Sequence, residues 1–466
     1  MPSKEDSVGG TAGRGLWFVG HVASLCVSAT DSLSSTYPED RPLVAEWASR
    51  PCVGHAGVMG AVPFFDEAFS GGHLLVVQGD LTALAVDAVV IPCDSQGNAH
   101  EGFLPLLGSV EPSTYLPGFA RVPAFADRGD GLEGPVRLAG VDGRQVWLID
   151  TTARTHGTAA TLVAAVGNAI EQVGAALGPG MTVALPLPGV GDGGFGSTYF
   201  SVISALIPEL EERAAHLDLD MVLTVRARSD YAAVQHFRRD SARHAQTPTA
   251  AAADVTGGAT RVLEGLARFA REGRLVPFLG AGASVGAGAP SWWGLLEDLA
   301  RTAGIAEEHI PSLQQLDARD AATVIARIGR RDSPDSDADD SDQLHSIRTA
   351  IVERLAGDTY TVTQGLIAGL AVPEAITTNY DRQYEIANTH TSSTDPSRTF
   401  DVLPHVRPRL GSPWLMKIHG DGGYRLNLSD PSTRIRYATP VETAEGVRSD
   451  VRCHIQQHCG VAAVLP

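Results

Sequence analysis

The sequence predicts an α/β protein of two domains, and three observations lead there. Apolar runs at strand spacing alternate twice with amphipathic runs at helical spacing. A polar Ala/Gly/Thr-rich stretch separates the two series, and glycine-rich loops follow directly on strand patterns. Residues 1–71 form an N-terminal extension whose short apolar runs (LWFVGHV, LCVSA) are expected to add a strand to the domain after it. The first domain spans 72–240, a linker 241–260, and the second domain 261–466.

In the first domain, LLVVQGDLTALAVDAVVIP predicts strand, turn and strand around Gly79-Asp80, and RQVWLIDT a further strand. HGTAATLVAAVGNAIEQVGAAL carries apolar residues three to four apart, which predicts a helix. MTVALPLPGVGDGGFG predicts a strand running into a glycine loop. STYFSVISALIPELEERAAHL predicts an amphipathic helix and DMVLTVRA the last strand. In the second domain the helix TRVLEGLARFAREG, the strand LVPFL, the loop GAGASVGAGAP and the helix SWWGLLEDLARTAG follow in turn. The acidic stretch RDSPDSDADDSD is expected to be a solvated loop, since no calcium-loop pattern organises its aspartates.

Composition narrows the partners. Charged residues make up 19% of the chain against 43% hydrophobic, the balance of a globular protein. A net charge of -18 repels phosphate backbones, so nucleic acid is not expected as a partner. A small anionic nucleotide is not excluded, because backbone N–H groups at helix N-termini bind phosphates whatever the net charge. The five cysteines include no C-x-x-C pair, so neither a disulfide framework nor a four-cysteine zinc site is expected, and no metal. The first residues lack a signal-peptide pattern, and the apolar run Leu16–Val27 is too short to span a bilayer. A soluble cytoplasmic protein is expected, without membrane partners.

Chemistry concentrates in three segments of the second domain. Gly280, Ala281, Gly282, Ala283 and Ser284 place small residues between a buried strand and a helix. A pyrophosphate needs backbone N–H groups at close range, and a Cβ would block that approach. Alone, such a loop is as compatible with strand–helix packing as with a nucleotide. Ser284 is suited to a phosphate hydrogen bond or to a helix cap. The run Ile376–Asp381, containing Thr378, Asn379 and Asp381, ends a strand pattern in polar residues. Leu415–Asp421, containing His419, has the same design. On a parallel sheet all three would converge at the carboxyl edge. Trp292 and Trp293 are expected to pack the helix after the loop.

Together FLGAGAS, TTNYD and KIHGD resemble the bacterial sirtuin-like family of antiphage-defence proteins, over about residues 262–425. The resemblance implies a Rossmann-like parallel-sheet domain with NAD⁺ as its substrate. Gly280 to Ser284 would be the pyrophosphate loop, and Thr378 would lie with it in the cofactor site. Asn379 and Asp381 would contact the nicotinamide side and the ribose, and His419 would be the catalytic histidine. The expected reaction is hydrolysis of NAD⁺ to nicotinamide and ADP-ribose, with His419 as base for a ribose hydroxyl or water. Asn379 would fix the water or ribose. A regulated effector, assembling as a homo-oligomer, is the role the family implies. A non-catalytic NAD or ADP-ribose sensor is the alternative. Protein deacylation or ADP-ribosyl transfer ranks third, since the paired C-x-x-C zinc module of deacetylating members is missing. The family continues beyond its His-Gly-Asp segment to a strand and a Gly-Ser turn over the adenosine. The segment after Tyr437 lacks that pattern, so a shortened domain with a weaker adenosine hold is expected.

In the first domain VVQGDLTALAVDAVVIP and LPLPGVGDGGFG resemble a diverged macro domain, over about residues 72–240. The resemblance implies a three-layer α/β fold binding an ADP-ribose-like nucleotide. Asp80 would meet the adenine, and the loop with Gly189, Gly191, Gly193, Gly194 and Gly196 would cradle the diphosphate. Pro92–Gln96 stands where the family has an Asn-rich catalytic segment, so de-ADP-ribosylation is not expected.

Overall fold

The computed structural model describes Leu25–Cys26 and residues 72–418, apart from 109, 114–115, 124–133, 142, 246–262, 332–350, 352, 393–397 and 404–410. The acidic stretch beyond Arg331, and His419 with everything after it, lie outside the described residues.

The chain is α/β, with two sheets. The first contains β1 (Leu74–Gln78), β2 (Ala88–Cys93), β3 (Val136–Val141), β4 (Arg144–Asp150), β5 (Thr182–Pro186) and β6 (Asp220–Val225). Their spatial order is β1-β6-β5-β2-β4-β3, parallel throughout except for the edge pair β3–β4. Successive side chains of a strand point to opposite faces, so every strand but the edge strand β3 feeds two cores. Leu74, Val76, Ala88, Val90, Trp147, Ile149, Met221 and Leu223 pack with α1 (Ala159–Leu177) and α2 (Tyr199–Leu217). Val77, Val89, Ile91, Val146, Leu148 and Val222 join the opposite core.

α1 forms because Leu162, Val163, Val166, Ile170 and Val173 make one apolar stripe, while Thr158 and Thr161 close a capping box at its start. Among the described helices only α1 is long and apolar enough to cross a membrane, and its stripe packs on the sheet. α3 (Arg228–Ala245) runs five residues into the stretch expected as linker, because SARHA continues a helix without a breaker.

The second sheet contains β7 (Val276–Leu279), β8 (Glu374–Thr377), β9 (Asp401–Leu403) and β10 (Trp414–Lys417), parallel and in the order β7-β8-β10-β9. The N-terminal extension does add a strand, but to this sheet and not to the adjacent domain. Leu25–Cys26 pairs antiparallel with β7, covering what would otherwise be an open edge. The second domain's helices include α4 (Gly282–Val285), α5 (Trp292–Thr302), α6 (Ala318–Arg331), α7 (Val362–Gly369) and α8 (Gln383–Thr391). Leu295, Leu296, Leu299, Ala321 and Ile325 give α5 and α6 a separate core.

The two domains share a core. Val77, Val89, Ile91 and Leu148 of the first sheet belong to one apolar cluster with Val362 and Ala368 of α7, Tyr384 and Ala387 of α8, and Leu279, Ala375 and Leu415 of the second sheet. The first domain therefore does not complete its three layers alone. Leu106, Leu107 and Val122 cover part of that face, and α7 and α8 cover much of the rest. Between them Tyr360–Thr361 pairs parallel with Leu84–Ala85.

Candidate functional site

Parallel β7, β8 and β10 bring their carboxyl ends to one edge of the second sheet. The Gly280 loop leaves β7 there, Thr378–Asp381 leave β8, and Ile418 leaves β10 toward His419. The predicted convergence of the first two segments is present. His419 follows in sequence but lies outside the described residues.

The strand ends are stapled by hydroxyls. Thr377 Oγ1 donates to Leu279 O at 3.0 Å and accepts from Asn379 N at 3.0 Å. Thr378, expected at the cofactor, turns its N–H and Oγ1 to the same carbonyl at 3.1 and 3.4 Å. Its observed contacts hold strand to strand. The Asn379 side chain reaches across the edge. Its Nδ2 donates to Gly280 O and to Ser284 Oγ, both at 3.0 Å. Gln364 Nε2 donates to Ser284 Oγ from the other side at 3.0 Å.

Ser284 departs from both roles expected of it. It is fully buried inside α4 and neither caps that helix nor faces outward. Its hydroxyl gathers two amides and so fixes Asn379 against the loop. Ala283 and Ser284 also turn their N–H groups back to Gly280 O and Ala281 O. Among the described residues no backbone carbonyl takes the N–H of Gly280, Ala281 or Gly282, so these are the donors the loop can offer an anion. A Cβ on Gly280 would meet nothing within 4 Å. Neither packing nor a left-handed φ demands glycine there.

Five buried side-chain polar atoms have no partner among the described residues, and two of them, Asn379 Oδ1 and Gln383 Oε1, belong to this edge, the others being Gln145 Oε1, Trp147 Nε1 and Tyr384 Oη. The Asn379 and Gln383 amides both hold the loop, since Gln383 Nε2 donates to Ala287 O at 3.4 Å. Native structures satisfy nearly all buried polar groups, so each of these atoms calls for a partner from a ligand, a water or residues outside those described. Asp381 is buried and its Oδ1 accepts from Gln383 N at 3.1 Å, at the start of α8. That contact orders backbone rather than exposing a charge.

Sequence reasoning missed the residues beneath this edge. Lys417 is fully buried, and its Nζ donates to Asp381 O at 2.5 Å and Glu385 Oε1 at 2.8 Å. A lysine at the end of an apolar strand, with a glutamate one helical turn past Asp381, was the available signal. Trp292 lies near-parallel to Tyr380, ring centroids 6.3 Å apart, beside Asn379 in sequence. Burial pushes the Tyr380 phenol above its ordinary range.

In the first domain the loop glycines separate by cause. A Cβ on Gly189 would run into Leu162, Phe195 and Thr151, and one on Gly193 into the Gly189 backbone. Gly194 sits at φ +88°. Packing and conformation account for all three, while Gly191 faces open space. Asp80, expected at an adenine, is engaged. It accepts from Thr82 N at 2.9 Å and Thr82 Oγ1 at 2.8 Å, and it is ion-paired with Arg226. Burial raises its carboxyl pKa, but Thr82 and Arg226 outweigh that and hold it below the ordinary value.

No family model matches the chain, and no curated protein does. Solved structures with similarity to it include macrodomains. The Oceanobacillus iheyensis macrodomain with ADP has a TM-score of 0.28 and 14% identity, covering 36% of this chain and 91% of that one. The Trypanosoma brucei macrodomain in complex with ADP-ribose has a TM-score of 0.24 and 12% identity, covering 35% of this chain and 68% of that one. Values this low assign no ligand and no catalytic residue.

Proposed function

We propose that the second domain binds NAD⁺ at the β7–β8–β10 edge and hydrolyses it to nicotinamide and ADP-ribose. One observation carries the reading. Asn379 is locked by two hydrogen bonds from its Nδ2, and its buried Oδ1 has no protein donor among the described residues. It lies beside a loop whose first glycine faces open space. A ribose hydroxyl or a held water supplies the missing donor, and a diphosphate fills the space at Gly280.

The chemistry follows from the bond to be broken. Departure of nicotinamide leaves oxocarbenium character on the ribose, and the carbonyl dipole of Asn379 stabilises it. Water attacks the anomeric carbon and yields its proton to a base. His419, two residues beyond β10, is the base assigned by the KIHGD resemblance. The first domain would hold a second nucleotide of the ADP-ribose type near Gly191. The cellular reading is a regulated cytoplasmic defence effector, as the motif resemblance suggests.

Nicotinamide release by the purified full-length chain tests the proposal, beside His419→Ala and Asn379→Ala. Each substitution is expected to lower turnover by about 10²-fold or more. Absence of both NAD⁺ binding and turnover in the unaltered protein would overturn it. Binding without turnover, unchanged in His419→Ala, would favour a nucleotide sensor.

A further inference from the structure

The segment Tyr360–Gln364 touches both sites. At one end Tyr360 is fully buried against the Gly79–Asp80 turn of the first domain. Asp80 N donates to Tyr360 Oη at 3.1 Å, and Tyr360 Oη donates back to Asp80 O at 3.2 Å. Two glycines are shaped by this contact. A Cβ on Gly79 would collide with Tyr360 Oη, and one on Gly365 with Val77 of β1. The adjacent pair Gln78 and Thr391 binds reciprocally, Nε2 to Thr391 O at 3.1 Å and Oγ1 to Gln78 O at 3.0 Å.

The other end reaches the Gly280 loop. Thr361 and Gln364 form the capping box of α7, with Gln364 N donating to Thr361 Oγ1 and Thr361 N to Gln364 Oε1. A cap needs no more than that. Yet Thr361 Oγ1 also donates to Ala283 O at 2.9 Å, and Gln364 Nε2 donates to Ser284 Oγ at 3.0 Å. These two bonds leave the helix and end on the loop. Ser284 Oγ in turn accepts from Asn379 Nδ2. An unbroken series of buried and half-buried contacts thus runs from the Asp80 backbone to Asn379.

We infer that Tyr360–Gln364 is a positioning strap, which holds the Gly280–Ser284 loop against Asn379 because it is docked on the first domain's Asp80 turn. Its catalytic meaning rests on the NAD⁺ reading above, but its existence does not. The strap makes the order of the second domain's site depend on the first domain. None of its residues needs to touch substrate.

Amide hydrogen exchange on the full-length chain tests the strap without any ligand. Tyr360→Phe deletes the hydroxyl and keeps the ring. Amides of residues 280–287 are expected to exchange about tenfold faster, with those of β5 and β6 unchanged. Gln364→Met removes the bond to Ser284 together with the cap on Thr361 N, and keeps the Tyr360 docking. It is expected to loosen 280–287 and leave residues 79–85 as protected as before. Unchanged exchange at 280–287 in both variants would overturn the strap. Should Tyr360→Phe lose protection everywhere, Gln364→Met decides. Kinetics give the second readout: Tyr360→Phe is expected to raise KM for NAD⁺ about tenfold with kcat within about twofold. A fall in kcat that only matches the loss of folded molecules, at unchanged KM, would refute positioning. If the unaltered chain neither binds nor cleaves NAD⁺, the NAD⁺ reading falls and exchange still judges the strap.

Discussion

Gly79 and Gly280 lack a Cβ for opposite reasons. At Gly79 the space is taken, because Tyr360 Oη stands where the methyl would be. At Gly280 the space is empty and the backbone is not left-handed. Alanine at 280 should therefore fold as well as glycine or slightly better, by up to about 1 kcal/mol, since it narrows the unfolded ensemble. If a diphosphate uses that space, the same methyl blocks it. We expect Gly280→Ala to keep its urea midpoint and to lose NAD⁺ affinity at least about tenfold, measured by calorimetry. Retained affinity would show that the loop is a packing turn. At this scale the sequence was partly legible. Asn379 and the Gly280 loop were readable because polar and small residues interrupt apolar strand patterns. Ser284 was not, because a serine after a glycine loop looks the same whether it faces a phosphate or the core. Its burial is decided by Gln364, eighty residues on.

Elements were more legible than their contacts. β2, β4, β5, β6, α1 and α2 follow directly from period-two and period-3.6 apolar patterns that local sequence carries. The layer formed by α7 and α8 was not foreseen. Covering a distant sheet leaves no local trace beyond a second apolar face. α8 ends in His390 and Thr391 beside the Asp80 turn. His390 stacks on Tyr360 at 5.8 Å between centroids, and its Nδ1 lies 4.0 Å from Asp80 Oδ2. Burial lowers the imidazole pKa below its ordinary value, Arg226 adds to the effect, and Asp80 opposes it. A depressed folded pKa favours the neutral ring in the native state. Its contribution is complete above the unfolded value, near 6.5, and is lost as pH falls through the folded value. Glutamine at 390 cannot titrate. Between pH 7.5 and 5.5 the unaltered chain should therefore lose more urea stability than His390→Gln. Equal losses would mean that protonation at this interface carries no cost.

At the scale of the molecule, the shared core decides how the domains unfold. Five of the six sheet strands of the first domain, all but β3, send one set of side chains to the core with α1 and α2 and the other to the core that α7 and α8 share. Cutting the chain after Ala245 removes the second cover and leaves Val77, Val89, Ile91 and Leu148 facing water over much of one sheet face. Each fully buried aliphatic side chain is worth about 1.5–3 kcal/mol, and domain stability totals only about 5–15 kcal/mol. Exposing even a few such residues consumes most of that margin. A macro-like domain that packed both faces by itself would survive excision. This one should not. A fragment of residues 72–245 is expected to self-associate or to unfold without a cooperative transition. The full chain is expected to lose both sheets in one urea transition, followed in parallel by Trp147 in the first sheet and Trp414 in the second. Single-tryptophan variants read by fluorescence separate the two reports. Two transitions, with the Trp147 report matching the isolated fragment, would mean that the domains fold independently and that the interface is only contact. One coincident transition would mean that the Gly280 site cannot be ordered while the first domain is unfolded.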